Sequence, residues 1–120
     1  AKFCAALANY GTATNGEKIL SKSTVELLRT NQLDSTRIKD FNWQQLIGYG
    51  YGLGVRTHMN PAVSGCISNI GEFGWGGAAG ATVVCDPKNN LAVFYAQHVL
   101  NPREEYYQPR LKNVVYSDLG

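Results

Sequence analysis

The sequence predicts an α+β domain, an antiparallel sheet of three or more strands covered by N- and C-terminal helices. Three observations carry this. Apolar residues recur at helical spacing at both ends of the chain. Between 48 and 98, glycines alternate with tyrosines and two β-branched runs flank a turn, the pattern of strands. Helices lie at the ends and strands in the middle, so the two kinds of element are segregated. At 120 residues the chain has room for one domain with a modest core. Its 44% hydrophobic and 17% charged composition is not that of a disordered chain.

The elements follow in order. Residues 1–9 form a helix, with Phe3, Leu7 and Tyr10 on one face and Gly11 placed to end it. Asn15-Gly16 is a turn dipeptide. Ser23 followed by Glu26 fits a capping box, opening a short helix that buries Val25, Leu27 and Leu28 and ends near Asn31. Residues 32–47 read as a long loop anchored by Phe41, Trp43, Leu46 and Ile47. Ten of the thirteen glycines then fall between Gly48 and Gly80. Strict alternation over 48–55 puts Tyr49, Tyr51, Leu53 and Val55 on one face of a single strand, with a bare glycine face pressed against a helix. Residues 81–85 and 91–98 make a hairpin through Asp86-Pro87-Lys88-Asn89-Asn90. Asn101 caps a helix with Pro102 in its first position and Glu104 and Glu105 at its positive end. Pro109 breaks or restarts it, and Leu111, Val114, Val115 and Leu119 are its apolar stripe.

Charge excludes several classes of partner. Eleven Lys and Arg against nine Asp and Glu give a net charge of +2. That is no clustered basic face for nucleic acid, nor a case for a membrane surface. No apolar run approaches the roughly 18–20 residues of a membrane span. The start Ala1-Lys2-Phe3-Cys4 has no initiator Met and no signal-peptide pattern, so the expectation is a chain that begins within a larger protein. Cys4, Cys66 and Cys85 cannot all pair internally, and no CxxC occurs. They read as free thiols, which points to a reducing compartment. With His58 and His98 far apart in sequence, no metal site and no cofactor are expected.

Motifs for chemistry are sparse. Gly74-Trp75-Gly76-Gly77-Ala78-Ala79 matches the dinucleotide pattern, but a strand follows where a helix N-terminus would have to hold the pyrophosphate. No Gly-x-Ser-x-Gly occurs, and none of the six serines has Lys three residues later. No Tyr has Asn or Ser two residues later. Cys66 or Cys85 with His58 or His98 is a formal nucleophile and base, against the reading of inert thiols and structural histidines. Trp75 alone reads as an aromatic buried against a glycine-rich strand.

Glu72-Phe73-Gly74-Trp75-Gly76-Gly77-Ala78-Ala79-Gly80, a strand ending Cys85-Asp86-Pro87 and a strand from Leu91 to Gln97 resemble the C-terminal part of the serine β-lactamase-like family. That family includes class C β-lactamases, D-alanyl-D-alanine carboxypeptidases and esterases of the same fold. Phe3 to Leu7 with Gly11, Gly16 to Ser21 with Thr24 to Leu28, and Tyr49 to Val55 extend the resemblance over nearly the whole chain. It implies a partial β-lactamase/transpeptidase-like fold over residues 1–120, one domain that is the C-terminal piece of a larger serine hydrolase. Three motifs build the family's site: Ser-x-x-Lys, Tyr-x-Asn or Tyr-x-Ser, and a triplet on a sheet strand. Only the third matches here, at Trp75-Gly76-Gly77, in a form that resembles the esterase branch. The resemblance implies that Trp75, Gly76, Gly77 and Ala78 bind substrate and that the Ala78 N–H is one of two oxyanion donors. It implies an ester, β-lactam or D-alanyl peptide substrate once the missing N-terminal part of the domain is present. No catalytic residue is expected in this chain itself. The alternative is a non-catalytic binding or structural module, assembling with a separate N-terminal chain. A fragment would expose apolar surface, with Tyr49, Tyr51 and residues 41–47 as its expected sites.

Overall fold

The computed structural model describes residues 1–119, and its architecture is α+β. Helices α1 (Lys2–Ala8) and α2 (Lys22–Leu28) precede a five-stranded sheet: β1 (Tyr49–Tyr51), β2 (Arg56–His58), β3 (Phe73–Gly76), β4 (Thr82–Asp86) and β5 (Leu91–Tyr95). A short helix α3 (Pro61–Ser64) lies between β2 and β3, and α4 (Glu104–Asp118) closes the chain. Every neighbouring pair is antiparallel and the spatial order is the sequence order.

The register sorts side chains between two faces, since directly opposed residues share a face. Phe73 opposes Cys85, which opposes Ala92, and these face α1 and α2. Leu7, Ala8 and Val25 bury against Phe73 and Cys85 there, with Leu20, Leu28 and Val83 around them. The other face carries Tyr49, Arg56, His58, Thr82, Val84 and Asp86. Helix α4 covers it, and Lys112 reaches Tyr49 while Tyr116 reaches Asp86.

Several expectations are corrected. Phe3 is exposed, because α1 buries Ala6, Leu7 and Ala8 instead. Ser21, not Ser23, caps α2: its Oγ accepts from the Thr24 N–H, while Glu26 turns to Arg29. Leu27 points away from the core. Residues 37–40 and 44–46 form 3-10 turns inside the expected loop. The alternation over 48–55 is not one strand. The chain reverses over Gly52–Val55, with Gly54 at φ +84° and the Gly52 N–H bonded to the Val55 carbonyl, so β1 and β2 form a hairpin. Leu53 sits exposed at its tip. Glycine is still required by a neighbour, since a side chain at Gly52 would overlap the Leu28 carbonyl at the end of α2. Strand β5 stops at Tyr95.

The last helix departs most from expectation. It starts at Glu104 after Arg103, because Asn101 and Arg103 both hold φ +54°, a left-handed turn that cannot begin a helix. It runs unbroken through Pro109. Its buried stripe is Gln108, Lys112 and Tyr116, an i, i+4, i+8 row of polar groups. Of the expected apolar stripe, Leu111 and Val115 are half-buried, while Val114 and Leu119 face outward at 68% and 50% exposed. The sheet face below is polar, so a polar helix face matches it. Exposed apolar surface therefore lies on the outside of α4, at Phe94 in β5 and at Val99 and Leu100 beyond it, in addition to Trp43 and Ile47; Tyr49 is buried.

Candidate functional site

The segment singled out in the sequence sits where the sheet is interrupted. β3 pairs with β4 along its whole length, from Phe73 opposite Cys85 to Gly76 opposite Thr82. Its pairing with β2 covers only Phe73 and Gly74, because the turn at 52–55 ends β2 at Arg56. Trp75 and Gly76 thus form a free edge inside the sheet. A free edge is a template for an added extended strand. Past β3 the chain turns through Gly77 to Gly80, held by Gly77 N–H to Ala81 O (2.8 Å) and Gly80 N–H to Gly77 O (2.8 Å). Among the described residues the Ala78 N–H makes no hydrogen bond, and Ala78 is exposed.

Trp75 is 41% exposed, which corrects the buried-aromatic reading. Its ring meets Tyr51 edge-on at 5.5 Å and stacks near Phe41 at 6.4 Å. The three aromatics form an apolar wall beside the free edge. A cavity of about 280 Å³ opens there, lined by Trp75 to Ala78 on one side and by Arg56, Glu104 and Gln108 on the other. The Glu104 carboxylate accepts from Gln45 Nε2 at 3.0 Å, and burial raises its pKa. The turn leading into β3 is pinned from α2: Arg29 donates to the Gly71 carbonyl at 2.6 Å while its other nitrogens hold Glu26.

Behind this strand lies a layer of buried charge that the sequence reading missed. Glu72 is fully buried, as are Arg56, His58 and Asp86. Lys112 Nζ donates to Tyr49 Oη at 2.6 Å and to Glu72 Oε2 at 3.3 Å, while Ser68 donates to the same oxygen at 3.2 Å. The Arg56 guanidinium stands 4.0 Å from Glu72 Oε1, a charge contact without a hydrogen bond. Burial alone would raise the Glu72 carboxyl, but Lys112, Arg56 and His58 outweigh it and hold it below the usual carboxylate range. Burial pushes Lys112 down to about 8, against the pull of Glu72. The one sequence signal was a Lys at i+4 from Gln108 and i−4 from Tyr116, legible only once the sheet face was known to be polar.

The depressed lysine makes a prediction about alkali. Above about pH 8 Lys112 loses its proton in the folded chain and keeps it in the unfolded chain, so stability rises with pH from about 8 to 9, by at most about 1.4 kcal/mol per pH unit; above about 9 the Cys85 thiol, held protonated only in the folded chain, opposes the rise. Urea unfolding at about pH 7.5, 8.2 and 9 should show the midpoint climbing, and Lys112→Met should flatten the climb. A midpoint independent of pH would remove this account of Lys112.

The cysteine and histidine candidates do not come together. Burial pushes the Cys85 thiol up to about 12, and its S–H points to the Cys4 carbonyl. His58 Nε2 is engaged by Ser64, not by Cys66. Among the described residues no group of three or more His, Cys, Asp or Glu could hold a metal ion, and no helix is long and apolar enough to cross a membrane.

Comparison with known proteins addresses the fold. EstCE1, described as a hydrolase with promiscuous acyltransferase activity, superposes on 94% of this chain with a TM-score of 0.72 at 20% identity. The fold is β-lactamase-like. The matched region covers 27% of the EstCE1 chain. In sequence, the chain is 31% identical over 99 residues to Uncharacterized protein MT1414 and to Protein Rv1367c, from two strains of Mycobacterium tuberculosis. The match covers 78% of this chain and 24% of each relative, so the chain spans about a quarter of the length of the curated relatives it matches. No protein-family model matches the chain.

Proposed function

We propose that the chain is the C-terminal part of a serine acyl hydrolase domain, of which it supplies the third-motif strand and one oxyanion donor. The observation that carries this reading is the free edge at Trp75-Gly76, followed at once by the unpartnered, exposed Ala78 N–H. A carbonyl laid against Gly76 and Gly77 meets no side chain from the strand, and its oxygen can reach the Ala78 N–H. Trp75 walls the same cavity with an apolar face. The hydrolase title of EstCE1 and the shared fold support the same class. With no Ser-x-x-Lys or Tyr-x-Asn in these 120 residues, the nucleophile and its base come from the remainder of the domain, and the chain alone does not catalyse this reaction. Trp in place of a charged first triplet residue favours an ester over a β-lactam or a D-alanyl peptide.

The test begins with the natural polypeptide, captured from source cells with an antibody against this chain. Its mass should lie well above 13.1 kDa. Incubation with p-nitrophenyl acetate or a penicillin should leave an acyl group on a serine outside residues 1–120. In that polypeptide Ala78→Pro, which removes the donor, should lower kcat by about 10²–10³ with the fold retained by circular dichroism. A natural mass of 13.1 kDa, or no acyl group from either reagent, would defeat the proposal.

A further inference from the structure

We infer that Ser64 and His58 form a separate acyl-transfer site, a serine nucleophile and its histidine base, opening on the cavity between α3 and α4 and taking short acyl esters. It is independent of the third-motif strand, and its nucleophile lies inside this chain.

The hydrogen-bond directions define the pair. His58 Nδ1 is 3.2 Å from the Asn69 carbonyl oxygen, which can only accept, and 3.0 Å from Ser68 Oγ. Nδ1 therefore carries the proton, and Nε2 keeps its lone pair. Ser64 Oγ lies 2.7 Å from Nε2 and must donate to it. The Pro61 carbonyl, the other acceptor near that hydroxyl, is at 3.5 Å. This is the arrangement in which a serine hydroxyl can pass its proton to a base as it attacks. Burial lowers the His58 pKa, so the ring is neutral at pH 7. Tyr49 stacks on it at 4.9 Å and fixes its plane.

The ring is also backed by a carboxylate. Ser68 accepts from Nδ1–H and donates to Glu72 Oε2 at 3.2 Å. An imidazolium formed at His58 would be stabilised by the Glu72 charge through that serine. On the open side, Ser64 and Lys112 line one cavity of about 230 Å³, which gives an ester access to the hydroxyl. The volume is below the range that holds drug-sized ligands, which restricts the site to small acyl groups.

The step balances without a co-reactant. Ser64 Oγ bonds to the ester carbonyl carbon as its proton moves to His58 Nε2. The ester C–O bond then breaks, the imidazolium returns the proton to the leaving alkoxide, and an alcohol departs. Water, deprotonated by the same nitrogen, releases the acid and restores the serine.

The experiment uses the natural polypeptide that contains this chain and diisopropyl fluorophosphate, followed by peptide mapping of residues 1–120. In labelling, the P–F bond breaks, a P–Oγ bond forms at Ser64, and His58 takes the proton. Within residues 1–120 the expected result is one diisopropylphosphoryl group on Ser64, none in Ser64→Ala, and labelling slowed about 100-fold or more in His58→Gln. Because His58 is buried and its variant could unfold, the mapped position in the wild-type chain decides by itself. A wild-type polypeptide that takes no label within residues 1–120, or takes it there on any residue other than Ser64, overturns the inference.

Discussion

Glu72→Ala is expected to lower the unfolding free energy by about 3–5 kcal/mol, seen as a collapse of the urea midpoint. Glu72 is 0% exposed and is the anion that faces both Lys112, at 3.3 Å, and Arg56, at 4.0 Å. Removing it leaves two cations beneath α4 with no opposing charge from that residue. The cost of that vacancy exceeds the net worth of the intact pairs, because desolvation has already cancelled much of their attraction. A second variant separates the two quantities. Glu72→Gln with Lys112→Met removes one charge of each sign and refills the volume, so it should recover much of the loss. Acid should act in the same direction as the single variant. The Glu72 pKa is lowered in the folded chain, so its support is present above the unfolded value of about 4.5 and is lost as pH falls through the folded value. A Glu72→Ala chain as stable as the wild type would mean that the charges are solvated and that α4 is held by something else.

The same layer explains what could and could not be read from the sequence. The α+β order, the Asn15-Gly16 turn, with Gly16 at φ +88°, and the hairpin through Asp86 to Asn90 were legible because each rests on local chemistry. The hairpin over Tyr49 to His58 was not. A period-two pattern continues through a tight turn as readily as along a strand, and only the Gly52 to Val55 hydrogen bond distinguishes them. The outer face of α4 was misassigned for a different reason. Counting apolar residues presumes an apolar partner, whereas Lys112 and Tyr116 face Tyr49, Glu72 and Asp86. The Trp75 to Ala78 segment was legible as an unusual strand. Its free edge was not, since that depends on where β2 stops.

Within that segment three glycines should respond to alanine very differently. A methyl at Gly74 would overlap the Val83 carbonyl oxygen and crowd its carbon at 2.8 Å, both backbone atoms of β4. Gly74 is paired on both sides, with Arg56 and Val84, so neither neighbour can retreat without opening a ladder. Gly74→Ala should therefore cost more than about 3 kcal/mol, beyond ordinary overpacking, and leave β3 unprotected in amide exchange. A methyl at Gly76 would meet Gln108 Nε2 at 3.0 Å and Glu104 Oε1 at 3.1 Å, the ends of two side chains that can turn aside. Its cost in stability should be small, and its effect should fall on the cavity those residues line. At Gly77 nothing lies within 4 Å, so Gly77→Ala should leave the melt unchanged. The contrast separates two reasons for glycine in one run of sequence. Gly74 is there because two backbones touch, whereas Gly77 keeps an open approach to the strand. If Gly77→Ala were as damaging as Gly74→Ala, the open approach at Gly77 would be wrong, and the candidate site with it.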